Sequence, residues 1–258
     1  MEMNSQFVRG KNHVRQILFT LAVIGMICFD ERTVAQADSP DLLTRESPKG
    51  NTVSVNQLLS PGRSLQTANR ARRYLIAGRL DMAQEEIARA LHASPHCAIA
   101  LDIQAAIHLR TGQFEDAANE LQGAIDADPA LGEAYLGLGM LLIARNRYKE
   151  ALVPLDRAQS LLPTSWRVYF ETAIAELGLG DMDATLKRIE RAEMLAGSDP
   201  EKRSATAYLR GLVSINQRDY ESATGYMDDA IKFNRSGSYA KPALAKLEQI
   251  KSFLPGGR

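Results

Sequence analysis

The sequence predicts an all-α fold, a solenoid of two-helix repeats closed by a C-terminal capping helix. Three observations predict it. Pro95, Pro129 and Pro163 recur every 34 residues. Gly78, Gly112, Asn146 and Gly180 keep the same spacing. Two columns of small residues follow it as well: Ala71, Ala105, Gly139 and Ala173, and then Ala90, Ala124, Ala158 and Ala192.

Each period contains two apolar patterns at helical spacing, parted by a Gly or Asn turn and closed by a Pro that cannot continue a helix. In the third period Tyr135, Leu138, Gly139 and Leu142 form the first stripe, and Ala151, Leu155 and Ala158 the second. Gly139 and Ala151 are small where two helices must approach, because a larger side chain would overpack the contact. One such hairpin cannot bury its apolar face alone, and stacking on its neighbours completes the core.

These residues resemble the tetratricopeptide repeat family. Its pattern runs through an aromatic, Leu-Gly and a second aromatic on the first helix, then Ala, an apolar residue and Pro on the second. The third unit matches with Tyr135, Leu138-Gly139, Leu142, Ala151, Leu155 and Pro163. The second matches with Leu101, Ala105, His108, Ala117, Leu121 and Pro129, and the first with Ala71, Tyr74, Ala83, Ile87 and Pro95. The fourth keeps Tyr169, Ala173 and Ile189 but has Thr185 for Ala and Gly197 for Pro. A fifth, degenerate unit keeps Gly211, Tyr220, Ala223, Met227 and Ala230, and follows an insertion over 196–203.

The resemblance implies a right-handed superhelical solenoid with repeats at 64–97, 98–131, 132–165, 166–199 and 204–237. It implies that the first helices line a concave partner groove. The matching positions are Ile99, Asp102 and Leu109 in the second repeat, and Glu133, Leu136, Met140 and Ile143 in the third. Arg167, Phe170, Ile174 and Leu177 follow in the fourth, and Tyr208 and Leu212 in the fifth. The middle of this surface is apolar, which suits a hydrophobic peptide or helix, with Phe170 and Met140 partly exposed. The Lys, Arg and Asn with which some relatives bind C-terminal carboxylates are largely missing. The alternative is that part of the stripe is inter-repeat core, or is covered by the chain's own ends.

Ahead of the repeats, Arg9, Lys11 and Arg15 precede the uncharged run Gln16 to Phe29. A membrane span needs roughly 20 apolar residues, so this run is short for one. It fits a secretory signal over 1–37, with Ala35-Gln36-Ala37 as a small-x-small cleavage site. Cleavage after Ala37 would place the protein in the periplasm or outside the cell, and family and signal together suggest a bacterial source. The alternative is a retained membrane anchor, which would make the chain an envelope assembly factor. Ile27 opposes reading Cys28 as a lipid-attachment cysteine. Residues 38–63 read as a disordered linker with a short extended segment near Thr52–Val55, and Ser64 as the cap of the first repeat helix. Residues 238–258 read as the capping helix and a frayed tail, with Leu244, Leu247, Ile250 and Leu254 on one stripe.

Composition narrows the function classes. Residues 1–37 hold four of the 31 basic and three of the 31 acidic residues, which leaves 27 against 28. That near-neutral balance lacks the basic footprint of nucleic-acid binding. Aromatic residues make up 6% of the chain, too few for base-stacking platforms. Chain 38–258 would keep Cys97 alone, and one cysteine forms no intrachain disulfide; a buried thiol at a repeat junction is expected.

No nucleophile elbow, phosphate loop, zinc-protease motif or Cys-x-x-Cys occurs. His92 and His96 straddle Pro95, so with Cys97 and His108 they make a poor metal set. The pairs Asp126/Asp128, Asp181/Asp183 and Asp228/Asp229 read as solvated helix ends. Arg70, Arg72, Arg73 and Arg79 read as a solvated basic face. No catalytic, cofactor or metal site is therefore expected. The expected partner is a protein or peptide, not nucleic acid, and a membrane only if the N-terminal segment stays uncleaved.

Overall fold

The computed structural model describes residues 62–251; the expected signal over 1–37, most of the expected linker over 38–63 and the tail beyond Lys251 lie outside the described residues. Eleven α-helices and no strands make up the described residues. They form five hairpins and a final helix: α1 (Gly62–Ile76) with α2 (Leu80–Ala93), α3 (Ala98–Thr111) with α4 (Phe114–Ala127), and α5 (Gly132–Ala144) with α6 (Tyr148–Leu161). Then come α7 (Trp166–Leu179) with α8 (Met182–Ala196), α9 (Pro200–Asn216) with α10 (Tyr220–Phe233), and α11 (Ala240–Lys251). The described residues divide into two compact units. The first holds 62–145 and Glu150–Thr164; the second holds Asn146–Lys149 and 165–251.

Each hairpin turns at a residue with positive φ. Gly112 at φ 77° and Gly180 at φ 82° end α3 and α7 in the left-handed region, where glycine pays no Cβ penalty. The same corner falls on Asn146 at φ 59° and, in the fifth hairpin, on Arg218 at φ 64°. Three helices start on an aspartate cap. Asp181 accepts from Ala184 N at 3.0 Å, Asp199 from Glu201 N and Lys202 N, and Asp219 from Ser222 N at 3.1 Å.

Within the hairpins a small residue on the first helix faces a large one on the second. A Cβ on Gly139 would stand 2.6 Å from Leu155 Cγ, and one on Gly211 2.6 Å from Met227 Cε. Leu155 and Met227 are fully buried. Arginines tie further joints. In the first unit Arg110 Nη1 donates to Leu75 O at 2.9 Å, satisfying a carbonyl at the end of α1. In the second, Arg210 grips Glu193 through two bonds of 2.7 and 2.8 Å, joining α9 to α8.

Four expectations need correction. Ser64 lies inside α1, which begins at Gly62, and is buried rather than capping. The presumed insertion is mostly helix, because Pro200 at the first helical position and the Asp199 cap start α9 before residue 204. On α11 the packed face is Ala240, Ala243 and Ile250, while Leu244 points outward at 56% exposure. Asp128 is buried, not solvated, and its Oδ1 accepts from Ala130 N at 3.1 Å.

Arg218 occupies a corner that favours glycine. Arg218→Gly should stabilise the protein by about 0.5–1 kcal/mol, the relief of strain exceeding the extra chain entropy. Urea midpoints of the two proteins check this.

Candidate partner-binding face

The first helices of the two units present different surfaces. In the first unit, Ile99, Leu109 and Ile143 are buried in the core. Asp102, Leu136 and Met140 are half-buried, and Glu133 is exposed. Met140 thus has the partial exposure expected of it. The second unit differs. Val168 to Leu177 on α7 are buried without a break, so that helix is enclosed on all sides. Phe170, expected to be partly exposed, is 2% exposed, since it lies inside that buried run with the Trp166 and Tyr239 rings 5.4 and 6.1 Å away between centroids. Ile174, Leu177, Tyr208 and Leu212 are likewise buried, and Arg167 is half-buried, its Nε donating to Glu171 Oε1 at 2.8 Å.

Asp102 is the chemically distinct group on the first unit's face. Its pKa is pushed up from 3.8 to about 7. Burial is the main cause; the Arg72 guanidinium pulls the other way, and Glu133 adds to the rise. Arg72, read from the sequence as part of a solvated basic face, was missed; it stands 34 residues before Ala106, itself 34 before the groove position Met140, and that spacing could have found it.

The other residues singled out from the sequence do not converge. His92 and His96 are exposed, Cys97 is a buried free thiol, and His108 Nδ1 lies 2.8 Å from Glu120 Oε2. Among the described residues no group of three or more His, Cys, Asp or Glu side chains could hold a metal ion. The basic face is divided: Arg70 pairs with Glu86 at 3.2 Å, and Arg79 lies over the Tyr74 ring. A cleft of about 550 Å³ opens between α7 and α8. Four of its charged groups serve the fold: Arg188 binds Glu176 at 3.1 Å, Arg191 covers the Tyr169 ring, and Asp181 caps α8.

The sign of the Asp102 effect is definite. Between pH 3.8 and about 7 the folded state keeps a proton that the unfolded chain has shed, so this group lowers stability as pH rises through that window. Asp102→Asn, neutral throughout, should stabilise the protein by about 1–2 kcal/mol at pH 8, a figure reduced for partial exposure. The gain should shrink toward pH 4. Chemical denaturation at the two pH values measures it.

Comparison with known proteins agrees with this architecture. The Tetratricopeptide repeat family profile matches residues 104–166. No curated protein matches the sequence. Similar solved structures include TTC0263, a thermophilic tetratricopeptide-repeat protein of Thermus thermophilus, at 19% identity and a TM-score of 0.60 over 72% of this chain and 98% of that one. PilW, a widely conserved type IV pilus biogenesis factor, aligns at 17% identity and a TM-score of 0.61, over 75% of this chain and 93% of its own. PilF of Pseudomonas aeruginosa aligns at 20% identity and 0.56, over 75% and 93%. Residues 104–166 match the tetratricopeptide repeat profile, and the described residues share the fold of tetratricopeptide-repeat proteins.

Proposed function

We propose that the chain is an exported, non-catalytic scaffold that binds a protein or peptide through the first-helix face of its first unit. One observation carries this reading. Leu136 and Met140 stay half-exposed beside Asp102 and Glu133, whereas the matching positions of the second unit are buried. An apolar strip with acidic groups at its side suits an amphipathic segment that carries a cation. Solvation of Leu136 and Met140 is given up on binding, and a partner cation adds to the Arg72 charge that already favours the ionised Asp102 carboxyl. The structural likenesses lend the fold and leave partner and pathway open. Export rests on Arg9, Lys11 and Arg15, the uncharged run after them, and Ala35-Gln36-Ala37.

Two measurements test the two halves of the reading. A photo-crosslinking residue placed at Leu136 or Met140 should capture a partner in cells far more than one at Val153, which is 74% exposed on α6. Equal capture at all three positions would count against the face. The exported protein should begin at Asp38 by intact mass, and exported material that keeps residues 1–37 would contradict cleavage.

A further inference from the structure

Three charged groups cross the face of the first unit, one from each first helix. α3 packs against both α1 and α5, and the three helices bring Arg72, Asp102 and Glu133 in that order. Among the described residues, no hydrogen bond or ion pair holds any of the three. Arg72 and Glu133 are the charges that act on Asp102, and none from α2 or α4 does. The buried glutamates are treated differently. Glu86, Glu171 and Glu176 each meet an arginine, at 3.2, 2.8 and 3.1 Å.

Asp102 is thus a half-buried carboxyl that the chain does not pair, and it lowers stability near neutral pH. A group that costs the fold and has no internal partner is a mark of a binding site. Its neighbours also fix a direction. Arg72 repels a second cation on the α1 side, and Glu133 attracts one on the α5 side. Beyond Glu133, α5 continues with the half-exposed Leu136 and Met140, about 4.5 and 10.5 Å further along its axis. A partner helix laid along α5 has the same rise. One basic side chain, with apolar ones three and seven positions from it, would therefore meet all of these groups together.

We propose that Asp102 is the specificity-determining residue of this face, and that it selects a partner helix carrying a lysine or arginine, seated between Asp102 and Glu133, with apolar residues three and seven positions away over Leu136 and Met140. The assignment rests on this face being the partner site. Binding is then coupled to a proton. Lysine and arginine stay charged throughout the neutral range, whereas Asp102 in the free protein is half-ionised near pH 7. Affinity for the basic partner therefore falls as pH drops through that value.

The probe is a phage-displayed library of random short peptides, panned on the protein at pH 8. Enriched sequences should carry Lys or Arg with apolar residues three and seven positions to one side of it. The most enriched peptide is then synthesised with a fluorescein label and followed by anisotropy. Replacing its cation by norleucine should weaken binding at least tenfold, and Asp102→Asn in the protein should do the same. The unmodified protein should bind about tenfold more weakly at pH 6 than at pH 8, and the Asp102→Asn protein equally at both. A purely structural Asp102 would move neither the cation preference nor the pH profile. No enriched peptide, enrichment without a basic residue, or equal binding by the Asp102→Asn protein would overturn the proposal. Where enriched peptides ignore Asp102, Leu136→Ala separates the two readings. If it weakens their binding, the face stands and the cation assignment alone fails; if it changes nothing, both fail.

Discussion

Every hairpin pairs a small residue on its first helix with a large apolar residue sixteen positions later on its second, and at Gly139–Leu155 and Gly211–Met227 the two meet directly. The pairs are Ala71 with Ile87, Ala105 with Leu121, Gly139 with Leu155, Ala173 with Ile189 and Gly211 with Met227. The five large members are at most 2% exposed. At Gly139 and Gly211 the second-helix side chain fills the space that a Cβ would take. Close approach lets one large apolar side chain fill the space left by the small residue, and the turn corners deliver it there. The remaining contacts follow from that register, including the Arg110 link to Leu75 O and the Arg210–Glu193 fork.

The same register sets what each unit leaves open. In the first unit the outward positions of α3 and α5 carry Asp102, Glu133, Leu136 and Met140, a mixed strip that neither a core nor bulk water suits fully. In the second, α7 is apolar enough to be enclosed, and it carries two glutamates inside. Arg167 and Arg188 meet those carboxylates at 2.8 and 3.1 Å, so buried charge has its counter-charge. The Tyr239 ring packs against both Phe170 and Tyr208.

Much of the fold was legible because its period is geometric. Gly78, Gly112, Asn146 and Gly180 mark the corners, and their positive φ values explain why Gly and Asn recur there. Arg218 hid the fifth corner, since a long cationic side chain gives no sign of left-handed backbone. Pro200 read as part of an insertion although Asp199-Pro200 is a helix start. The partner face was half legible. Column matching found Leu136 and Met140, and it missed the closure over Phe170. One of the rings packed on Phe170, Tyr239, lies outside the repeats, on which the period is silent. The Asp102 shift is a property of burial and of neighbours on α1 and α5, and no local sequence pattern displays it.

The most direct test of the small–large contact is a double-mutant cycle at Gly139 and Leu155. Gly139→Leu should overpack the hairpin and Leu155→Ala should hollow it, each lowering the denaturation midpoint. Together they exchange the volumes across one contact, so the double variant should be more stable than the sum of the single losses predicts, by about 1 kcal/mol or more. Losses that add to within about 0.5 kcal/mol would mean that the two positions act independently, and would contradict the contact as the basis of the hairpin.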